Sequence, residues 1–191
     1  MAEARLAEFG YLGVSLEEVA KEVGVSKPAL YYHFPGGKEQ LFVEIAHRAL
    51  TLMRESLERA MSGLGSGAEK LHAAARWLME EHERGRPMGE LRDVVKFVAE
   101  EHRAGLAQGF YTSLFGPIRR AIAEAVESGE FHENDPDFLT WSFLGLALGM
   151  MDVGDGPGEV SGSERPGPPA IPGAVETSGR MVDLFLEGAL K

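Results

Sequence analysis

Residues 15–34 read SLEEVAKEVGVSKPALYYHF, a stretch whose local signals predict two short helices joined by a tight turn. Ser15 and Glu18 form the Ser-x-x-Glu capping box that begins a helix, and the apolar residues after them recur at helical spacing. Gly24 can take the left-handed conformation that ends a helix without a steric cost, and Ser26 can cap the second helix. The stretch therefore predicts a helix-turn-helix.

The second of these helices has an outer face suited to contact with DNA. Leu30 and Phe34 lie four residues apart, so we expect both to face inward. In a helix-turn-helix the first helix braces the second, which presents its N-terminal residues to base edges in the major groove. For Tyr32 alone, packing is the favoured alternative. The predicted DNA-contacting residues are Ser15, Ser26, Lys27, Pro28, Ala29, Tyr31, Tyr32, His33 and Lys38.

These side chains differ in what they can contact. Lys27 can donate to guanine, and the small Ala29 permits close approach and can touch a thymine methyl group. Tyr31 and His33 can reach phosphates. Lys38 stands at the N-terminus of the next predicted helix, where exposed amides and the helix dipole also favour a phosphate. The sequence thus predicts one compact surface that faces anions.

The chain also resembles the tetracycline-repressor (TetR) family over about its first fifty residues. The resemblance rests on four motifs, in order and at family spacing: FGYxGVS at 9–15, VA at 19–20, GVSKPALYYHF at 24–34 and KExLF at 38–42. It implies a dimeric repressor that binds a palindromic operator and is released by an effector in its C-terminal domain. The family's DNA-contacting positions fall on Ser26, Lys27, Pro28, Ala29, Tyr31, His33 and Lys38. Family members generally carry a longer first helix, often with a basic leader ahead of it, whereas only nine residues precede Gly10. Either the start codon is assigned too late or this N-terminal arm is absent.

The composition restricts the possible classes of function. The 191 residues include no cysteine, which excludes disulfides, thiol nucleophiles and thiolate metal sites. The longest apolar run, at 138–151, would span only about 21 Å as a helix, too short for a membrane, and we expect a cytoplasmic protein. The net charge is −11, and the first fifty residues carry five Lys/Arg against seven Glu. DNA contacts must then come from placed side chains and not from bulk charge.

Beyond the helix-turn-helix, the chain keeps the helical period throughout, which predicts an all-α fold. We expect about nine helices in total: a three-helix DNA-binding module in residues 1–46 and a C-terminal helical bundle for effector binding and dimerisation in residues 47–191. The helices after the module are expected at 38–61, 68–84, 89–102, 109–127, 136–151 and 174–190. Eleven of the twenty residues at 154–173 are Gly or Pro, which predicts a flexible loop that is mobile or reaches a partner.

The C-terminal bundle contains candidates for a ligand site. His82 and His102 fall on the apolar stripes of their predicted helices, where core histidines are the favoured interpretation. The alternative makes them the polar groups that orient a small apolar effector with one polar or acidic end. The candidate effector-binding residues are Trp77, His82, Phe97, His102, Phe110 and Trp141. We expect a homodimer through the helices at 136–151 and 174–190, since a lone protomer would expose a large apolar patch.

Two other functional classes have some support in the sequence. Glu44-x-x-His47 and Glu69-x-x-His72 resemble the motifs of di-iron bundles, but an antiparallel helix pair would place them at opposite ends, so neither a metal site nor a cofactor is predicted. With no catalytic constellation in the sequence, we do not expect an enzyme. The alternative to a regulator is a helical ligand-binding or interaction protein without DNA binding, favoured by the acidic N-terminal module.

Overall fold

The computed structural model describes residues 12–84, 95–154 and 173–190, and most residues in this part of the chain are helical. It contains eight α-helices: α1 (Leu16–Val23), α2 (Lys27–His33), α3 (Gly37–Met61), α4 (Gly67–Glu83), α5 (Glu100–Phe110), α6 (Gly116–Glu127), α7 (Pro136–Gly154) and α8 (Ala174–Ala189). A π-helical segment, Tyr111–Phe115, joins α5 to α6. Within the described ranges, β pairing is limited to one bridge between Phe131 and Leu190. The predicted all-α fold is confirmed.

The chain folds into two compact units, of which the first comprises residues 1–55 and 86–113. Its described part contains α1, α2, most of α3 and α5. The core of this unit is apolar and buried: Val14, Leu16, Val19, Ala20, Leu30, Leu41, Phe42, Leu50, Val98 and Leu106. The helix-turn-helix therefore shares its core with the start of α3, and α5 belongs to the same unit.

The second unit comprises residues 56–85 and 114–191. Here α4 packs against α6 and α8, and α7 packs against α6 and α8. Phe143 of α7 and Phe185 of α8 meet edge to face with ring centroids 5.6 Å apart, a favourable aromatic geometry. The most deeply buried side chains include Leu57, Leu71, Phe115, Ile118, Ile122, Phe131, Phe143 and Leu144.

The start of α4 is held by side chains and by close packing. Ser66 and Glu69 form a capping box at this end, and the carboxylate of Glu130 accepts from the N–H groups of Gly67 (2.7 Å) and Ala68 (2.9 Å). A Cβ on Gly67 would lie only 2.4 Å from Cβ of Ala125. Glycine is required here because α4 and α6 approach too closely for a side chain.

The structure corrects the prediction for residues 98–110. The sequence predicts one helix that ends at His102 and another that begins at Gly109, but the chain leaves the helical conformation at Val98 and Ala99, and one helix, α5, spans the predicted gap. Ala99, the residue before α5, has no capping side chain, and its N–H donates to the carboxylate of Glu39 on α3.

Gly109 lies in the last turn of α5, where this helix passes close to Leu50 of α3 within the first unit. A Cβ at this position would lie 2.8 Å from Cδ1 of the buried Leu50. A glycine at such a position is a close-contact residue and not a helix stop.

Some predicted features lie wholly or largely outside the described residues. They are the segment before Leu12, residues 89–94 of the helix expected at 89–102, and residues 155–172 of the Gly/Pro-rich loop. None of the helices in the described part of the chain combines the length and the apolar character that crossing a bilayer requires.

Candidate nucleic-acid interface

Local capping builds the helix-turn-helix as the sequence predicts. Ser15 Oγ accepts from the N–H of Glu18 at 3.2 Å, and the N–H of Ser15 donates to Glu18 Oε2 at 3.3 Å, so the capping box is complete. Gly24 ends α1 with φ of 72°, in the left-handed region. Ser26 Oγ accepts from the N–H of Ala29 at 3.3 Å and begins α2. Each of these two hydroxyls still carries a hydrogen that can be donated.

The outer face of α2 is open to solvent. Leu30 is buried and Phe34 half-buried, as the inward-facing positions require. Tyr32 is 83% exposed, so the packing alternative for this residue is wrong. Tyr31 and His33 are also exposed, as are Lys27 and Pro28, while Ala29 is half-buried. The structure thus presents most of the predicted contact residues on one accessible helix face.

Lys27 has a partner on the neighbouring helix. Its ammonium group forms an ion pair with the carboxylate of Glu17 on α1. The hydrogen bond and the charge of Lys27 hold the pKa of Glu17 below its ordinary value, and the Glu17 carboxylate raises the pKa of Lys27 in return. Both groups are therefore charged at neutral pH. No signal in the sequence links residues ten positions apart across a turn.

Lys38 lies in the first turn of α3 and is half-buried. Its ammonium group donates to the backbone carbonyl of Leu12 at 3.4 Å, and burial lowers its pKa. The helix begins at Gly37, with φ of 69°, where a Cβ would lie 3.7 Å from the ring of Tyr31. The start of α3 therefore adjoins the exposed face of α2, as the predicted anion-facing surface requires.

Three of the candidate effector-binding residues belong to the second unit. Trp77 is buried, its Nε1 donates to Ser56 Oγ at 2.9 Å, and His82 is half-buried. Trp141 is 59% exposed and packs against Phe115, with ring centroids 4.8 Å apart and the ring planes tilted by 48°. Trp77 also lines an open groove of about 420 Å³ together with Ala60, Leu64, Glu69, His72, Ala73, Arg76 and Glu80.

The other three candidates belong to the first unit. Phe97 is exposed, whereas Phe110 and His102 are half-buried, and His102 Nε2 lies 3.8 Å from Glu101 Oε1. The assignment of all six residues to an effector site stays a prediction.

The residues considered for a metal site have other contacts. Glu69 accepts from the backbone N–H groups of Gly65 and Ser66, and these bonds lower its pKa. His72 Nε2 lies 3.4 Å from Asp183 Oδ1. Glu44 accepts from Gln40 at 2.9 Å. Across the described ranges, no three His, Asp or Glu side chains are grouped so that they could hold a metal ion.

Comparison with known proteins identifies relatives of the N-terminal region that contains this surface. Residues 2–45 match the family described as bacterial regulatory proteins, tetR family. The HTH-type transcriptional regulator LmrA of Bacillus subtilis (strain 168) is 41% identical over 64 residues, which are 34% of this chain and 34% of LmrA. The match thus spans about a third of that relative's length.

Solved structures resemble the chain over nearly its whole length. PfmR, a TetR family transcriptional regulator from Thermus thermophilus, has a TM-score of 0.69 at 26% identity, covering 98% of this chain and 95% of PfmR. The transcriptional regulator FadR from Bacillus subtilis, in complex with stearoyl-CoA, has a TM-score of 0.74 at 17% identity and covers 98% of this chain and 95% of FadR. At that identity the likeness to FadR shows the fold alone.

Proposed function

Since this chain is a member of the tetR family of bacterial regulatory proteins, we propose that it is a transcriptional regulator that binds operator DNA through α2. One observation carries the proposal. The capped α1–α2 pair presents Lys27, Tyr31, Tyr32 and His33 on an exposed helix face while Leu30 anchors that helix in the core. This is the arrangement in which a recognition helix enters the major groove.

We further propose that the protein is a repressor, acts in the cytoplasm as a homodimer and recognises a palindromic operator. Support for the dimer comes from α7 and α8, which expose large apolar side chains, among them Phe138, Trp141, Val175 and Leu184. Phe138 and Trp141 are three residues apart and share a face of α7. Apolar surface of this kind marks an interaction site in a protein that is not embedded in a membrane.

The proposed effector is a small apolar molecule with one polar or acidic end. FadR, which shares the fold, was crystallised with stearoyl-CoA, a ligand that combines a long apolar chain with an anionic end. An acyl thioester of this class is the first ligand to test. The residues predicted from the sequence remain candidates for its contacts: Trp77, His82 and Trp141 of the second unit, and Phe97, His102 and Phe110 of the first.

DNA binding is tested by selecting bound fragments from genomic DNA and measuring affinity for the selected fragment by fluorescence anisotropy. Tyr32→Glu should weaken binding by more than about tenfold, because it sets a carboxylate against phosphate. Leu52→Glu is the matched control: Leu52 is 50% exposed on α3, and the substitution changes the net charge equally. Its affinity should match that of the wild type. If selection enriches no sequence, the helical ligand-binding protein without DNA binding becomes the better description.

A further inference from the structure

The ion pair between Glu17 and Lys27 lies on the surface that is proposed to meet DNA. Lys27 is the first residue of α2, and Glu17 lies in the first turn of α1. Both side chains are mostly exposed to solvent. Recognition helices contact base edges through their N-terminal residues, so this carboxylate neutralises a cation at the position where a cation is most useful.

The pair is weak enough to open on DNA but strong enough to matter. Exposed ion pairs change an equilibrium constant by a factor of only about 1.4 to 5. The contact of a lysine with guanine O6 and N7 favours the correct base by a larger factor than this. A matching base edge can therefore displace the Glu17 carboxylate from Lys27. When Lys27 binds a phosphate instead, it only replaces one anionic partner with another. The Glu17 carboxylate then lies near the DNA backbone and repels it.

The N-terminal region has few cations, so pairing one of them with Glu17 changes its affinity for DNA. Its first fifty residues contain only five Lys and Arg, and non-specific DNA affinity depends on how many phosphates such cations neutralise. A lysine already paired within the protein contributes little to that number.

We propose that Glu17 is a specificity-determining residue: its carboxylate competes with phosphate for the Lys27 ammonium group and lowers affinity for non-operator DNA more than for operator. The inference rests on the proposed function, because it requires that the α2 surface binds DNA. Glu17 itself need not touch the DNA, since it acts through Lys27.

The test compares four full-length proteins: the wild type, Glu17→Gln, Lys27→Ala and the double variant. Affinity is measured by fluorescence anisotropy for the selected operator and for a random-sequence duplex of equal length, over a series of salt concentrations. Glu22→Gln is the matched control, since it removes the same charge from the other end of α1. Circular dichroism checks that each variant is folded.

Glu17→Gln should raise affinity for the random duplex about two- to fivefold per protomer. It should also steepen the salt slope by about 0.9 per protomer, the value for one added phosphate contact. Operator affinity should change less, so the specificity ratio should fall. In the Lys27→Ala background, Glu17→Gln should behave like Glu22→Gln.

Two results would overturn the inference while leaving the proposed function intact. Equal effects of Glu17→Gln and Glu22→Gln in both Lys27 backgrounds would mean that only bulk charge matters. A loss of operator affinity in Glu17→Gln would place Glu17 among the groups that contact bases. If the wild type binds neither duplex, the proposed function fails, and the inference fails with it.

Discussion

Two lysines of the first unit, Lys27 and Lys38, differ in their surroundings, and this difference sets what each contributes to DNA binding. Lys27 is exposed at the start of α2 and pairs with Glu17, whereas Lys38 is half-buried at the start of α3 and donates to the Leu12 carbonyl. A helix N-terminus positions a phosphate without reading sequence. The first residues of a recognition helix, in contrast, meet base edges.

Lys38→Ala should therefore weaken binding about equally across operator variants and flatten the salt dependence by about one unit of slope per protomer. Lys27→Ala should also relax the preference at one base pair in each half-site. Anisotropy titrations with single-base operator variants, repeated at several salt concentrations, measure both effects. If the two variants weaken binding uniformly with the same salt slope, the assignment of Lys27 to base recognition is wrong.

The capping residue Glu69 gives stability a defined pH dependence. Backbone N–H groups of Ser66 and Gly65 lower its pKa from the ordinary value of 4.5. A carboxyl group with a lowered pKa in the folded state stabilises the protein fully above its ordinary pKa, and this stabilisation is lost as the pH falls through the folded-state pKa. Glu69→Gln should therefore lower Tm at pH 7, and the difference from wild type should shrink below pH 4.5.

Thermal unfolding at pH 7 and at acidic pH measures this effect. Glu127→Gln, at an exposed position on α6, is the control, and we expect it to change Tm little at either pH. A Tm difference for Glu69→Gln that stays constant across the range would show that the carboxylate charge contributes nothing to the cap.

Among the helices, those with local signals were predicted well. The capping serines and Gly24 define α1 and α2 from within a few residues of each end, and the predicted bounds of α4 and α8 agree with the structure to within one residue. The start of α5 could not be predicted because Ala99, the residue before it, has no capping side chain, and its N–H donates to Glu39, sixty residues away. The Glu17–Lys27 pair could not be predicted for the same reason: it forms only when the turn has brought two helices together.

The close approach of α4 and α6 at Gly67 predicts a specific cost. Gly67→Ala brings a new Cβ against Ala125, and overpacking of this kind destabilises by about 1–3 kcal/mol. In a protein of this size, each kcal/mol lowers Tm by about 2–4 °C. Adding Ala125→Gly should recover part of the loss.

Gly105→Ala on α5 is the matched control for this prediction. A Cβ there makes only ordinary contact, at 3.9 Å from the ring of His47, and alanine is the better helix former by up to about 1 kcal/mol. Stability should therefore stay constant or rise. Equal destabilisation by both substitutions would mean that the helix contact at Gly67 is not the cause.

At the scale of the whole molecule, the first question is the assembly of the protomers. Phe138, 61% exposed on α7, is expected to be covered in the homodimer. Phe138→Glu should dissociate the dimer at micromolar concentration, because it places a charge in an apolar interface. Leu52→Glu, at a similarly exposed position on α3, should leave the dimer intact. Analytical ultracentrifugation measures both, and a wild type that sediments as a monomer would contradict the dimer itself.

A dimer also sets the geometry of operator binding. Two recognition helices that enter successive major grooves must lie about 34–36 Å apart, and an effector that changes this spacing weakens operator binding. An effector shifts such an equilibrium only by the difference between its affinities for the two arrangements. We expect it to act by moving α3, which continues from the DNA-binding module into the second unit.

Thermodynamic linkage makes this mechanism testable, because operator DNA must weaken effector binding by the same factor by which the effector weakens operator binding, typically about 5–150-fold. Calorimetry with stearoyl-CoA, in the presence and absence of operator, measures that factor, and coenzyme A alone is the control for the apolar chain.

His102→Ala should reduce effector affinity if His102 orients the polar end of the ligand. Equal effector affinities with and without DNA would disprove the switch, and an unchanged affinity in His102→Ala would remove His102 from the effector site.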